Sequence, residues 1–249
     1  MNYRLTIQYD GTEFHGWQIQ ANGRTVQGEL TRALSLLDGG KVVVHGAGRT
    51  DAGVHAEGQV ASVRLRREVE PERLQAAING NLARDVRVVD AATAPDDFHP
   101  RKSAKGKTYC YRVFNERVMS PFWMRYALHE GRAIDTGAMR EAAALLVGEH
   151  DWTAFSSAQA EVKTRVRNVT ELEITERQRE RARGRLVEIR VSADGFLRYM
   201  VRSIAGTLLA VGRGETDAET IRRAIETGDR ALAGATAPAH GLALVEVHY

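Results

Sequence analysis

The sequence predicts an α+β protein built from two similar halves, on three observations. Stretches with an apolar period of two alternate with stretches at helical spacing along the whole chain. Turn signals such as Asp10-Gly11, Gly39-Gly40 and Asn79-Gly80 separate them. The stretch from Ala94 to Pro100, APDDFHP, sets two prolines around two adjacent carboxylates, which discourages both helix and strand and divides the chain into 1–104 and 105–249.

In the first half, Tyr3, Leu5, Ile7 and Tyr9 alternate with Arg4, Thr6 and Gln8, as a half-buried strand requires. Val26, Leu30, Ala33, Leu34 and Leu37 then recur at helical intervals behind Thr25, a residue able to cap, and Gly39-Gly40 stops the run. A short strand is expected at Lys41–His45, a loop from Gly46 to Gly58, and a strand at Gln59–Arg66. A helix opened by Pro71 and a strand at Val86–Ala91 complete this half. The second half has strands expected at Lys107–Phe114, Val169–Ile174, Leu186–Val191 and Leu242–His248. Its helices are expected at Asp135–Val147, Phe196–Val211 and Asp217–Thr227.

With 249 residues, 43% hydrophobic and 27% charged, the chain has the composition of a folded, water-soluble protein. A single cysteine, Cys110, excludes an intrachain disulfide framework and a cysteine-based zinc site, which fits a reducing, cytoplasmic home. The start, MNYRLTIQYD, has no apolar core of a signal peptide, and the longest apolar stretch, Ile204 to Val211, is far short of a ~20-residue membrane span. No membrane partner is expected.

The net charge of +3 falls wholly on residues 105–249, because 1–104 carry 13 basic and 13 acidic side chains. Of the 35 basic residues 30 are arginine, the side chain suited to bidentate phosphate contacts and to stacking, although base composition of a genome produces the same bias. Between Arg101 and Arg117 stand Lys102, Lys105, Lys107 and Arg112 against Glu116 alone, with Tyr109, Tyr111 and Phe114 interleaved. Such a strand suits contact with RNA.

The chemistry is expected in the loop Gly46-Ala47-Gly48-Arg49-Thr50-Asp51-Ala52-Gly53-Val54-His55-Ala56, which directly follows Val42-Val43-Val44. Its glycines permit close approach of a ligand to the main chain, and Asp51 lies at its centre two residues after Arg49. Asp51 is either a functional carboxylate or the anchor of an Asx-type turn. A triphosphate-binding loop would need Gly-Lys-Ser/Thr followed by an apolar helix, and neither is present. His55 has no second ligand at metal spacing and reads as a packed or hydrogen-bonded histidine. Arg202 stands inside an apolar helical run, where a guanidinium is costly unless an anion meets it. It is read as the partner of a buried functional carboxylate in preference to a purely structural ion pair. Such a partner would keep the carboxylate ionised.

These residues carry a family resemblance. Gly48-Arg49-Thr50-Asp51-Ala52-Gly53-Val54-His55-Ala56 with Gly58-Gln59-Val60 resembles the signature loop of the tRNA pseudouridine synthase A family. Further segments match in the same order. They are Tyr9-Asp10-Gly11-Thr12, Phe14, Gly16-Trp17-Gln18, Phe98-His99 with Arg101, Lys107-Thr108-Tyr109-Cys110-Tyr111, Asp151 with Phe155, Met200-Val201-Arg202 with Gly206, and Gly241-Leu242. The resemblance spans essentially the whole chain and implies two ferredoxin-like, RRM-like halves forming the pseudouridine synthase fold with a central, mainly antiparallel sheet. It implies that Asp51 is the catalytic aspartate, that Tyr109 lies against the target base, that Arg202 pairs with Asp51, and that Arg49 helps to hold the target nucleotide out of its stem. The implied substrate is uridine at positions 38 to 40 of the tRNA anticodon stem-loop, the implied assembly a homodimer, and no cofactor is needed. A noncatalytic RNA-binding protein is the competing class, but the single-strand RNA motif fails because Lys107 follows Lys105-Gly106 where that motif has Phe or Tyr.

Overall fold

The protein is described by a computed structural model covering residues 1–159, 162–178 and 184–249. It divides into two units, Met1–Lys105 with Ala243–Tyr249, and Gly106–Leu242.

In the first unit, β1 (Asn2–Tyr9) buries Tyr3, Leu5, Ile7 and Tyr9, as the alternation predicts. Asp10 ends it by accepting the Thr12 amide. Helix α1 (Val26–Asp38) begins where the Thr25 hydroxyl accepts the Gly28 amide and ends at Gly39, which is left-handed. It buries Val26, Leu30, Ala33 and Leu34, each large aliphatic among them contributing about 2 kcal/mol. Next come β2 (Val44–Gly46), β3 (His55–Arg64), α2 (Pro71–Gly80, Pro71 in its first turn) and β4 (Val86–Ala94). Strand β1 lies between β3 and β4, antiparallel to both, and β2 joins β3 antiparallel.

Two expectations shift here. The β3 strand begins at His55, not at Gln59, so the loop is shorter than the sequence suggests: Ala56 already pairs with Tyr9. The short strand before it covers Val44–Gly46, because only Val44 onward finds a partner on β3, while Val43 is exposed.

The second unit contains β5 (Gly106–Asn115), β6 (Leu128–Glu130), α3 (Thr136–Ala144), β7 (Gly148–Asp151), β8 (Val166–Gln178), β9 (Arg185–Ala193), α4 (Met200–Gly212) and α5 (Ala218–Thr227). The antiparallel order is β5-β9-β8-β7, with β6 parallel to β5. Thr108, Tyr109, Cys110 and Tyr111 are all buried, so the middle of β5 is covered on both faces, while Lys107, Arg112 and Asn115 are half-buried. Helix α4 is buried at every position except Arg202, which is half-buried.

Helix α4 begins at Met200, four residues later than its apolar stripe suggests. Tyr199 before it is left-handed at φ 67°, and the turn is closed by the Met200 amide on the Leu197 carbonyl. Phe196, Leu197 and Arg198 therefore lie outside the helix. Helix α3 stops at Ala144 because the Leu145 and Leu146 amides tighten onto the carbonyls three residues back, Ala142 and Ala143. Strands β6 and β7 were not expected; three and four residues are too short to show a period.

The last strand, β10 (Leu242–His248), runs parallel to β3, with Ala243 opposite His55 and Leu244 opposite Ala56. The sequence groups this strand with the residues that precede it, since a period of two says nothing about which distant strand will pair.

Candidate active site

The loop from Ala47 to Val54 joins β2 to β3, and the first unit holds it along its length. The Ala47 amide donates to the Val60 carbonyl (2.8 Å), and the Gln59 side-chain amide donates to the Gly48 carbonyl (2.9 Å). Thr50 is held twice, its carbonyl by the Trp17 amide (3.1 Å) and its hydroxyl by the Tyr9 phenol (2.8 Å). The Gly53 amide donates to the Phe14 carbonyl, and the turn closes with the Val54 amide on the Asp51 carbonyl (3.2 Å).

The segment that follows β1 is shaped to this loop. Gly16 has φ +89°, and a Cβ there would stand 2.6 Å from the Thr50 carbonyl oxygen, so only glycine fits. Phe14 and Trp17 are buried beside Tyr9, with ring centroids 6.3 and 6.4 Å from it. The Gly11 amide donates to Nδ1 of His55 at 2.9 Å, and Asp10 Oδ1 lies 3.3 Å from the same nitrogen. His55 is thus the buried, hydrogen-bonded residue that the sequence suggests.

Arg24 ties down the end of this segment. Its guanidinium meets both carboxylate oxygens of Asp85 (2.5 and 2.9 Å), reaches Glu29 (2.9 Å), and stands 4.2 Å from the Phe14 ring centroid. The Arg24 hydrogen bonds hold the Asp85 carboxyl below its ordinary range. Burial pushes the Tyr9 phenol up to about 12 against the pull of Thr50 and Gln59. Tyr9 therefore stays neutral at physiological pH, a hydrogen-bonding group and not a base.

The predicted site residues occupy four positions. Asp51 is half-buried in the loop, and Arg49, two residues earlier, is exposed with no hydrogen bond or ion pair among the described residues. Tyr109 lies on β5 opposite Val191, buried, its ring meeting Phe196 edge-to-face at 5.0 Å. Arg202 lies in the first turn of α4, donates from Nε to the Ala237 carbonyl (2.7 Å), and stands 5.0 Å from the Tyr199 ring centroid. Arg198 donates to the Tyr199 hydroxyl (3.0 Å), so the left-handed Tyr199 is gripped by two arginines. The Tyr111 phenol donates to the Pro238 carbonyl next to Ala237 (2.9 Å), and burial raises it well above its ordinary range.

Sequence reading did not assign roles to Tyr9, Gln59, Phe196 and Tyr199. The first two are polar groups at positions whose alternation calls for burial, which is the available signal. The latter two follow only from the turn before α4. Within the basic tract, Arg112 is committed to Glu188 (2.9 Å), which removes it from the cations expected to face RNA. Among the described residues no group of three His, Cys, Asp or Glu could hold a metal ion, and no helix is long and apolar enough to cross a membrane.

Comparison with known proteins gives the class. A family profile described as tRNA pseudouridine synthase matches residues 5–101 and 142–249. Proteins named tRNA pseudouridine synthase A are similar over the full length. One from Bacillus sp. (strain KSM-64) is 42% identical over 249 residues, covering 100% of this chain and 99% of its own. One from Acetivibrio thermocellus is 42% identical over 248 residues, with 100% and 99% covered. One from Agrobacterium fabrum is 41% identical over 250 residues, with 99% and 92% covered. The chain belongs to the tRNA pseudouridine synthase A family.

Proposed function

We propose that this chain isomerises uridine to pseudouridine in tRNA, at positions 38, 39 and 40 of the anticodon stem-loop, as a cytoplasmic homodimer that uses no cofactor. The observation that carries the reading is a carboxylate, Asp51, set in a loop whose neighbours on both sides are pinned by buried groups. A catalytic group held in this way needs little reorganisation to act.

The reaction breaks the N1–C1′ bond and joins C5 to C1′; C5 loses a proton, N1 gains one, and nothing is oxidised. Asp51 serves it either by attacking C1′ or by taking the proton from C2′. Glycoside hydrolysis generally uses two carboxylates to manage acid, base and water. One is enough where the base is rejoined to the sugar. In this reading Arg202 is the partner of Asp51, Tyr109 is the residue against the extruded uracil, and Arg49 is the side chain that fills the place the nucleotide leaves. Extrusion costs a few kcal/mol and is repaid by phosphate and stacking contacts. Lys105 and Lys107 contribute to the phosphate contacts.

The test is tritium release from tRNA carrying 5-tritiated uridine, followed by mapping of the modified positions. Release with modification at 38 to 40 is expected. Binding without release from any tRNA would favour a noncatalytic RNA-binding protein.

A further inference from the structure

Two buried side chains hold the Asp51 loop from inside the first unit, on either side of Arg49. Tyr9, at the end of β1, is 5% exposed, and its phenol bonds the Thr50 hydroxyl, itself 7% exposed. Gln59, on β3, is fully buried; its amide donates to the Gly48 carbonyl and its side-chain oxygen accepts from the Val60 amide (3.2 Å). These satisfied polar groups thus anchor the loop on both sides of Arg49, Gln59 at Gly48 and Tyr9 at Thr50. Buried polar groups are expensive unless every member is satisfied, and a satisfied network specifies one arrangement of the backbone that carries it.

The backbone supports the same reading. The pairing of β1 with β3 shifts register between Ile7 and Tyr9, at the position that carries the phenol. Such irregularities re-aim a side chain, and they are frequent beside active sites. Phe14 and Trp17 already supply the apolar contacts of the Tyr9 ring, so packing alone asks only for a phenylalanine here. The hydroxyl answers to Thr50.

We propose that Tyr9 is a positioning residue for the isomerisation: acting through Thr50, with Gln59 acting through Gly48, it fixes the loop in the arrangement from which the Asp51 carboxylate reaches the ribose. The inference rests on the reading of Asp51 as the catalytic group. Tyr9 is buried beneath the loop, so its removal is expected to act on the chemical step and leave tRNA affinity alone.

Tyr9→Phe, Thr50→Val, Thr50→Ser, the Tyr9→Phe/Thr50→Val double variant and Asp51→Asn test this. The readouts are the single-turnover rate at saturating tRNA, the Kd for tRNA and the Tm. Tyr9→Phe is expected to lower the rate about 10- to 100-fold, the usual consequence of a displaced catalytic group, with Kd unchanged. Thr50→Val is expected to do the same, Thr50→Ser to restore the rate, and the double variant to be hardly slower than the slower single one. A wild-type rate for Tyr9→Phe beside an inactive Asp51→Asn would overturn the positioning role and leave Asp51 standing. An active Asp51→Asn would overturn the reading beneath it, and with it the inference. A loss of tRNA affinity as large as the loss of rate would also overturn it. Should Tyr9→Phe fail to fold, the comparison of Thr50→Ser with Thr50→Val decides, and equal rates for the two would count against the proposal.

Discussion

Gly11 passes so close to Val54 that a Cβ on Gly11 would stand 2.0 Å from the Val54 carbonyl oxygen. The approach also brings the Gly11 amide to His55, so one glycine fixes the end of the Asp51 loop against the turn after β1. Gly11→Ala must push backbone against backbone. It is expected to cost about 2–3 kcal/mol, the upper range for overpacking, and to lower Tm by several degrees. Gly80→Ala, where nothing lies within 4 Å of the added carbon, should be neutral or slightly stabilising. Equal Tm values for the two variants would contradict the close packing.

Arg24 and Asp85 give the fold a pH-dependent clamp. The guanidinium lowers the folded-state pKa of Asp85. The pair's contribution is therefore fully present above the ordinary carboxylate value near ~4 and is lost as pH falls through the lowered one. Asp85→Asn should be less stable than wild type by about 2 kcal/mol at pH 7, as for a charge-assisted hydrogen bond removed. Denaturant titrations across pH 7 to 2 should show the difference shrinking below about pH 4. A difference that stays constant to pH 2 would remove the clamp from the account.

For RNA binding, Arg112 is held in an ion pair with Glu188, and the prediction is made for Lys105 and Lys107. Replacing Lys105 and Lys107 by alanine should weaken tRNA binding and flatten its salt dependence, by roughly one unit of slope for each phosphate no longer neutralised. Arg112→Ala should instead lower Tm slightly, because it removes the shorter of the two arginine contacts to Glu188 and leaves Arg177 at 3.4 Å. A wild-type salt slope in the lysine variant would place the RNA path elsewhere.

Tyr109 is expected to do more than fill space. Tyr109→Phe keeps the ring and its edge contact with Phe196. It should bind tRNA as wild type does and turn over more slowly in single-turnover assays. An unchanged rate would restrict Tyr109 to stacking.

Much of the fold was legible because local signals are strong where one element meets a turn. Thr25 and Gly39 bracket α1, Pro71 opens α2, and the alternation of Tyr3 to Tyr9 gives β1. What was not legible depends on distant partners or on a single torsion. The return of β10 to β3 is a choice among sheet edges, the early start of β3 at His55 follows from pairing with β1, and the late start of α4 follows from the left-handed Tyr199. The site divides in the same way. The Asp51 loop stands out in sequence for its glycines, whereas the groups that hold it, Tyr9 on Thr50 and Gly11 on His55, are 41 and 44 residues from their partners. Only the folded chain shows them as one arrangement.

The central claim is that the Asp51 carboxylate performs the isomerisation. Tritium release from 5-tritiated uridine in tRNA, measured for wild type and Asp51→Asn at matched tRNA occupancy, tests it directly. The account predicts release by wild type and none by Asp51→Asn, with tRNA binding retained. Release by Asp51→Asn near the wild-type rate would contradict it.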